Sequence, residues 1–259
     1  MKILGFIVLW LDKDFKHRRA IQNLNISVKT SVDWRSFCCE VTEAWLDRQP
    51  PIGGQDVIVE IDETLIVRRK YNVGRQVPQL WLFGGIERVS KKRFIVPLVD
   101  DKNQPEARNK ENLIGYIIKY ILPGSVIYSD QWRAYSSVAE EGFRHRTINH
   151  SLNFVDPQDK EVHTQNIERL WLDIKQYIKR QGMSPRFIRQ YIGRYLFLKH
   201  HGERSFHEFL QEAAILYKTQ SDKTRPRPPV PNVRPDSDPD HSDYDSNLEE
   251  ETPGPSSSN

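Results

Sequence analysis

Apolar and polar positions alternate along Val57-Ile58-Val59-Glu60-Ile61-Asp62, and the extended runs Gln79 to Glu87 and Arg93 to Val99 follow. Such patterning predicts three consecutive strands in an antiparallel meander. Lys110 to Leu122 then repeats its apolar residues at helical spacing and ends at Pro123-Gly124, a helix stop. The apolar run Ser125 to Asp130 reads as a fourth strand. A helix between two strands is a crossover connection, which predicts that this strand runs parallel to its neighbour. Gln131 to Glu141 reads as a helix and His145 to Asn149 as a short strand. In Thr164 to Lys179 the apolar Ile167, Leu170, Trp171, Ile174 and Ile178 share one face of a helix that Thr164 can cap. Pro185 to Lys199 and Ser205 to Tyr217 complete the helices.

Ahead of the strands, Gln49-Pro50-Pro51-Ile52-Gly53-Gly54 breaks the helical pattern and reads as a linker at residues 49–55. Before it, Phe15 to Cys39 carries two short helical patterns separated by Leu24-Asn25-Ile26-Ser27, with Ser27 as N-cap of the second. Ala20, Ile21 and Leu24 would face Val28, Val32 and Phe37 across the turn, the outline of a helix-turn-helix in residues 1–48. Lys29, Thr30 and Arg35 would then occupy the outer face of the second helix, where groove contacts are made. Plain helical packing is the alternative. Ile3 to Leu11 has the length of a signal-peptide core, but Asp12-Lys13-Asp14 follows without a small-residue cleavage site, so it reads as a buried helix.

Composition narrows the classes. The chain has 259 residues, 37% hydrophobic and 28% charged, enough for a real core without disulfides. Its two cysteines, Cys38 and Cys39, are adjacent, which offers neither an ordinary bridge nor a four-ligand zinc site. No run of about 18 apolar residues is present, as a membrane span requires. The net charge of +3 includes eight acids and no Lys or Arg from Asp236 on, so residues 1–235 carry +11. A basic body with an acidic tail suits a polyanionic partner, although many basic surfaces are merely solvated. Residues 219–259, rich in Pro, acids and Ser, cannot offset their ordering entropy by burial and are expected to be disordered. The folded catalytic part is expected at 56–218.

Three acids stand out. Asp62 and Asp130 end strands, and Glu168 lies in the first turn of a helix. Each alone is as readily a turn former, a cap or a partner of the helix dipole. Together, two strand ends and a helical glutamate can converge at one sheet edge, where clustered carboxylates require a divalent cation. Oxygen donors without a Cys or His cluster point to Mg2+ or Mn2+ rather than zinc. A pair of such ions clamps the attacking and leaving oxygens of an in-line phosphodiester displacement.

The blocks Val59-Glu60-Ile61-Asp62-Glu63, Arg69-Lys70-Tyr71-Asn72-Val73-Gly74-Arg75, Trp81-Leu82-Phe83-Gly84-Gly85-Ile86-Glu87-Arg88, Leu122-Pro123-Gly124-Ser125, Ser129-Asp130-Gln131-Trp132-Arg133-Ala134-Tyr135, Asn149-His150-Ser151-Leu152-Asn153-Phe154-Val155-Asp156-Pro157 and His163-Thr164-Gln165-Asn166-Ile167-Glu168 resemble, in order, those of the Merlin-type DDE transposases of animals and their bacterial insertion-sequence relatives. The resemblance spans about Asp56 to His200. It implies an α/β fold, a ribonuclease-H-like mixed sheet flanked by helices and preceded by a small helix-turn-helix segment. It implies a catalytic, metal-binding triad of Asp62, Asp130 and Glu168, with 37 residues between the last two. It further implies two Mg2+ or Mn2+ ions, double-stranded DNA as partner (element terminal repeats and target), a homo-oligomer and residence in the nucleus. Phosphodiester hydrolysis at an element end would precede joining of the freed 3′-hydroxyl to target DNA.

Arg68, Arg69, Lys70 and Arg75 form a basic cluster after the first strand that either tracks DNA phosphates or tips a solvated hairpin. Lys175 and Lys179 follow Glu168 at helical spacing and are further candidates for the DNA backbone. Glu60 is read either as a support of the Asp62 site or as an exposed residue, and His150 and His163 as loop supports. Two departures from the resemblance, the lack of a Cys-x-x-Cys zinc module and the acidic tail, fit a truncated or decaying element copy or a domesticated DNA-binding protein without catalysis. A plain ribonuclease-H-like nuclease is the remaining alternative.

Overall fold

A computed structural model describes residues 1–66, 79–100, 104–148, 164–181 and 184–220. The cluster Arg68, Arg69, Lys70 and Arg75, the loop with His150 and His163, and the tail from residue 221 lie outside the described residues. Three helices come first: α1 (Lys2–Leu11), α2 (His17–Leu24) and α3 (Val28–Asp47). Asn25, in the left-handed region at φ 47°, turns the chain between α2 and α3, and the Ser27 side chain caps α3 by accepting from Thr30 N–H at 3.0 Å. The buried side of α3 is Ser31, Cys38, Cys39, Val41, Thr42 and Trp45. Val28 and Phe37 are 54% and 46% exposed. The sequence placed both against α2, but α3 runs on to Asp47, and its long apolar stripe faces helices from the other end of the chain instead.

The chain then forms β1 (Ile52–Gly53), β2 (Ile58–Leu65), β3 (Trp81–Glu87), β4 (Arg93–Pro97), α4 (Lys110–Tyr120), β5 (Ile121–Leu122), β6 (Val126–Asp130) and β7 (Arg144–Ile148). The last helices are α5 (Gln165–Arg180), α6 (Ile188–His201) and α7 (Ser205–Gln220). The main sheet has the order β4-β3-β2-β6-β7. β2, β3 and β4 form the antiparallel meander; β6 runs parallel to β2, and β7 parallel to β6. The fold is the expected α/β class, a mixed sheet flanked by helices behind an N-terminal helical segment. Inside the stretch read as linker, Ile52 and Gly53 pair in parallel with Ile121 and Leu122.

The period of two divides the sheet residues between two apolar layers. Val59, Ile61, Phe83 and Phe94 meet Leu113, Ile114 and Ile117 of α4 on one face. On the other, Leu82, Ile86 and Ile95 meet Trp171, Ile174, Tyr191 and Ile192 of α5 and α6. That second core also takes in Phe6 and Trp10 of α1, Cys38 and Trp45 of α3, and Phe209 of α7. At its centre the buried Arg194 of α6 donates to the Asp12 carbonyl beyond α1 and to Gln181 Oε1 at 2.9 Å, with Trp10, Phe15 and Tyr177 rings around its guanidinium. The α1–α3 segment and the last three helices thus share one core.

The expected helix over 131–141 is instead two short 3-10 turns, Arg133–Tyr135 and Val138–Glu141. Asp130 Oδ1 accepts from Trp132 N–H at 3.1 Å, and Trp132 is extended, which interrupts helical propagation at the outset. Gly142, at φ 85°, closes the segment.

Candidate active site

Glu60 decides how the candidate site is assembled. It lies on β2 on the same side as Asp62 and is completely buried. Its Oε1 accepts from Arg88 Nε at 3.0 Å, Arg88 Nη2 at 3.0 Å and Asn166 Nδ2 at 2.7 Å. Its Oε2 accepts from the backbone N–H groups of Asn166 at 2.9 Å and Ile167 at 3.2 Å. The first turn of α5 is therefore capped by a carboxylate from the sheet. Thr164, expected to cap it, makes no side-chain cap and instead has its hydroxyl 3.5 Å from Glu168 Oε1. Exposure of Glu60, the alternative left open by the sequence, is excluded; its signal was the shared face with Asp62, but its partners lie 28 residues away at Arg88 and 106 and 107 away on α5.

Asp62 sits two residues further along β2, inside the strand rather than at its end as the sequence suggested, because pairing with β3 carries β2 on to Leu65. Its Oδ2 accepts from Trp171 Nε1 of α5 at 3.0 Å. The indole passes over Gly84, the strand partner of Asp62, where an added Cβ would stand 2.7 Å from Trp171 Cη2 and 3.0 Å from the Phe94 carbonyl. Glycine is required there by the close approach of the ring. Asp130 ends β6, whose parallel register with β2 pairs Glu60 with Tyr128. Asp62 and Asp130 each lie two residues beyond that pair, on the strand face occupied by α5.

The electrostatics agree with one carboxylate inside β2 and another at the end of β6. Glu63, on the opposite face, is raised to about 7, first by burial. The Tyr135 hydroxyl and Arg108 oppose that shift, while the charges of Asp62 and Asp130 add to it. His145 of β7, bonded to Ser129 at 2.8 Å, is held below its ordinary value by burial, with Asp130 opposing. His145, Tyr135 and Glu63 are neighbours of the site that the sequence did not single out.

Glu168 lies in the first turn of α5, on the helix that Glu60 and Asp62 fasten to the sheet, and its side chain is exposed. Among the described residues no three His, Cys, Asp or Glu side chains gather into a group able to hold a metal ion. Asp62 and Asp130 thus lie near enough to Glu63 for both charges to act on it, and Glu168 lies in the first turn of α5 on the other face of the sheet from Glu63. The donor set suits Mg2+ or Mn2+ in kind: two half-buried carboxylates on rigid strands beside a further acid, in a region whose negative charge already raises Glu63.

The described DNA candidates are spread over two regions. Lys175 and Lys179 are exposed on α5 and, with Ile66 and Gln176, line a recess of about 290 Å³. Lys29 is exposed at the start of α3, whereas the Thr30 hydroxyl is 2.8 Å from Ser27 Oγ in the cap. Arg35 is half-buried, with its guanidinium 5.0 Å from the Phe187 ring centroid.

The model of the ISXO2-like transposase domain matches residues 51–198, more than half of the chain. The chain belongs to the ISXO2-like transposase family. The match of this transposase domain runs from the start of the β1 seam through α6 and includes Glu60, Asp62, Asp130 and Glu168. A comparison with curated proteins gave no match. Among the described residues no helix of this transposase-family chain is long and apolar enough to cross a membrane.

Proposed function

We propose that this chain is a Merlin-type DNA transposase that hydrolyses phosphodiesters at element ends and transfers the 3′-hydroxyl to target DNA, using Asp62, Asp130 and Glu168. The observation that carries the reading is the parallel β2–β6 pairing, which matches Glu60 with Tyr128 two residues before Asp62 and Asp130 respectively, on the face where Glu60 anchors the helix of Glu168, in a chain of a transposase family. Asp62 and Asp130, with Glu168, would hold the two divalent ions. Bound there, the ions supply charge stabilisation to the attacking and leaving oxygens.

The protein's part is positional. Trp171 N–H fixes the rotamer of Asp62, and the hydrogen bonds from Asn166 and Ile167 to Glu60 hold the first turn of α5 against the sheet. Leu172, Lys175 and Lys179 follow Glu168 at intervals of four, three and four residues, one stripe along the exposed side of α5. The lysines stand about 10 and 16 Å beyond the acid along the helix axis, a spacing suited to phosphates of a strand laid along α5. Terminal-repeat and target DNA are the partners, the working form is a homo-oligomer, and the place of action is the nucleus.

The test is nicking of supercoiled plasmid by the full chain in Mg2+, in Mn2+ and in chelator, beside Asp62→Ala. Metal-dependent nicking lost in the variant with DNA binding retained is expected; equal nicking by Asp62→Ala removes the assignment. The acidic stretch from Asp236 on, a departure from the family pattern, favours a second reading, a DNA-binding derivative with a silent site. Binding without nicking under every metal condition would select it.

A further inference from the structure

On the α4 face of the sheet, behind the two aspartates, one guanidinium touches the neighbours of both. Arg108, in the loop before α4, lies between two indoles, 4.1 Å from the Trp81 ring centroid and 4.2 Å from that of Trp132. Its Nη1 is 3.6 Å from Glu63 Oε2. Glu63 directly follows Asp62, and its Oε1 accepts from the Tyr135 hydroxyl. Trp132 is the residue whose backbone N–H holds Asp130 Oδ1 at 3.1 Å. Arg108 therefore joins the strand that carries Asp62 to the turn that orients Asp130.

From this we infer that Arg108 is a positioning residue that sets Asp130 relative to Asp62. The inference rests on the proposed function for its consequence, but its structural content stands on contacts already described. The turn after Asp130 lacks the regular hydrogen bonds of a helix, since residues 131–141 form only two short 3-10 turns. Something other than secondary structure must fix it. The stack supplies that: the guanidinium is planar, so it presents one face to each indole while its edge reaches the carboxylate. Trp132 and Tyr135, the two anchored side chains, bracket the first turn and are themselves edge to face, with centroids 5.9 Å apart. Lysine preserves the charge opposite Glu63 but has no plane to stack, so Arg108→Lys separates the ion pair from the sandwich.

The experiment compares wild type, Arg108→Lys, Arg108→Ala and Asp62→Ala as full chains. Three quantities are read: amide hydrogen exchange over residues 129–136 without metal, Mn2+ affinity by electron paramagnetic resonance of the free ion, and the melting temperature. Arg108→Ala should speed exchange at the Asp130 turn and weaken Mn2+ binding by about 10–100-fold, the usual effect of losing a group that orients a metal ligand. Arg108→Lys should fall between it and wild type in both. A lower melting temperature with exchange at 129–136 and Mn2+ affinity both as in wild type would overturn the inference, since a merely structural contact predicts that pattern. Wild type binding Mn2+ no better than Asp62→Ala would instead count against the proposed function. The exchange measurement then decides Arg108 alone, with faster exchange confined to the turn upholding its positioning role and unchanged exchange removing it.

Discussion

Truncating Glu60 to alanine removes the acceptor of five hydrogen bonds. Arg88, only 15% exposed at its side chain, loses the carboxylate that two of its nitrogens address. The N–H groups of Asn166 and Ile167 lose their acceptor at the N-terminus of α5, and Asn166 Nδ2 loses its own. Breaking a buried ion pair from one side costs about 3–5 kcal/mol because the remaining charge stays desolvated. Loss of a helix cap adds about 1 kcal/mol, part of which water entering the vacated space returns. A net loss of about 3–5 kcal/mol is a large fraction of the roughly 5–15 kcal/mol that stabilises a typical domain. At about 2–4 °C per kcal/mol for a chain of this size, the melting temperature should fall by about 6–20 °C. Thermal unfolding followed by circular dichroism measures it. Glu60→Gln, which retains the shape and an acceptor oxygen, should lose less than Glu60→Ala. The pair is shielded from solvent, so the loss should change little between low and high salt. A melting temperature within about 2 °C of wild type would refute the reasoning and show α5 held by its apolar face alone.

Other consequences are narrower. Gly84→Ala should displace Trp171 and lower stability by about 1–3 kcal/mol, because the new Cβ meets both the ring and the Phe94 carbonyl; denaturant unfolding gives the loss, and tryptophan emission reports the moved indole. Cys39 is raised from 9.0 to about 11 by burial, so the folded chain keeps a proton that the unfolded chain releases as pH climbs through 9. Stability should therefore fall with rising pH between about 9 and 11, and Cys39→Ala should make that part of the curve shallower, the raised Cys38 keeping the rest of the slope. At neutral pH neither Cys38 nor Cys39 should react with an aromatic disulfide reagent until the protein is unfolded.

Local patterns carried the strands and most helices because period and stop signals act over a few residues. Val57 to Asp62, Arg93 to Val99 and Lys110 to Pro123 were each readable from their own composition, and the crossover rule gave the parallel sense of β6. What escaped depended on partners far along the chain. Gln131 to Glu141 has helical composition, but its start is diverted by the Asp130 side chain and by Tyr135 reaching Glu63. Thr164 was well placed to cap α5, yet a buried glutamate from β2 does so. Val28 and Phe37 had the right spacing to pack on α2; the opposite face of α3 had a larger apolar surface to bury against α6 and α7. At the site itself, the acids of β2 and β6 could be picked from the sequence, though Asp62 lies inside its strand and not at the end, but the Arg108 sandwich behind them could not, since Trp81, Arg108 and Trp132 come from three separate segments.

The common core of α1, α3, α6 and α7 has a mechanical corollary. A tethered module would sample many orientations, and its reach would be set by tether length. Here the α3 stripe, the Arg194 joint and the β1–β5 seam leave the segment no such freedom, so it moves with the sheet as one rigid ruler. On the proposed reading, a duplex gripped at the start of α3 would meet Glu168 at a constant offset. Inserting residues between Arg48 and Pro51 would strain the ruler rather than lengthen it.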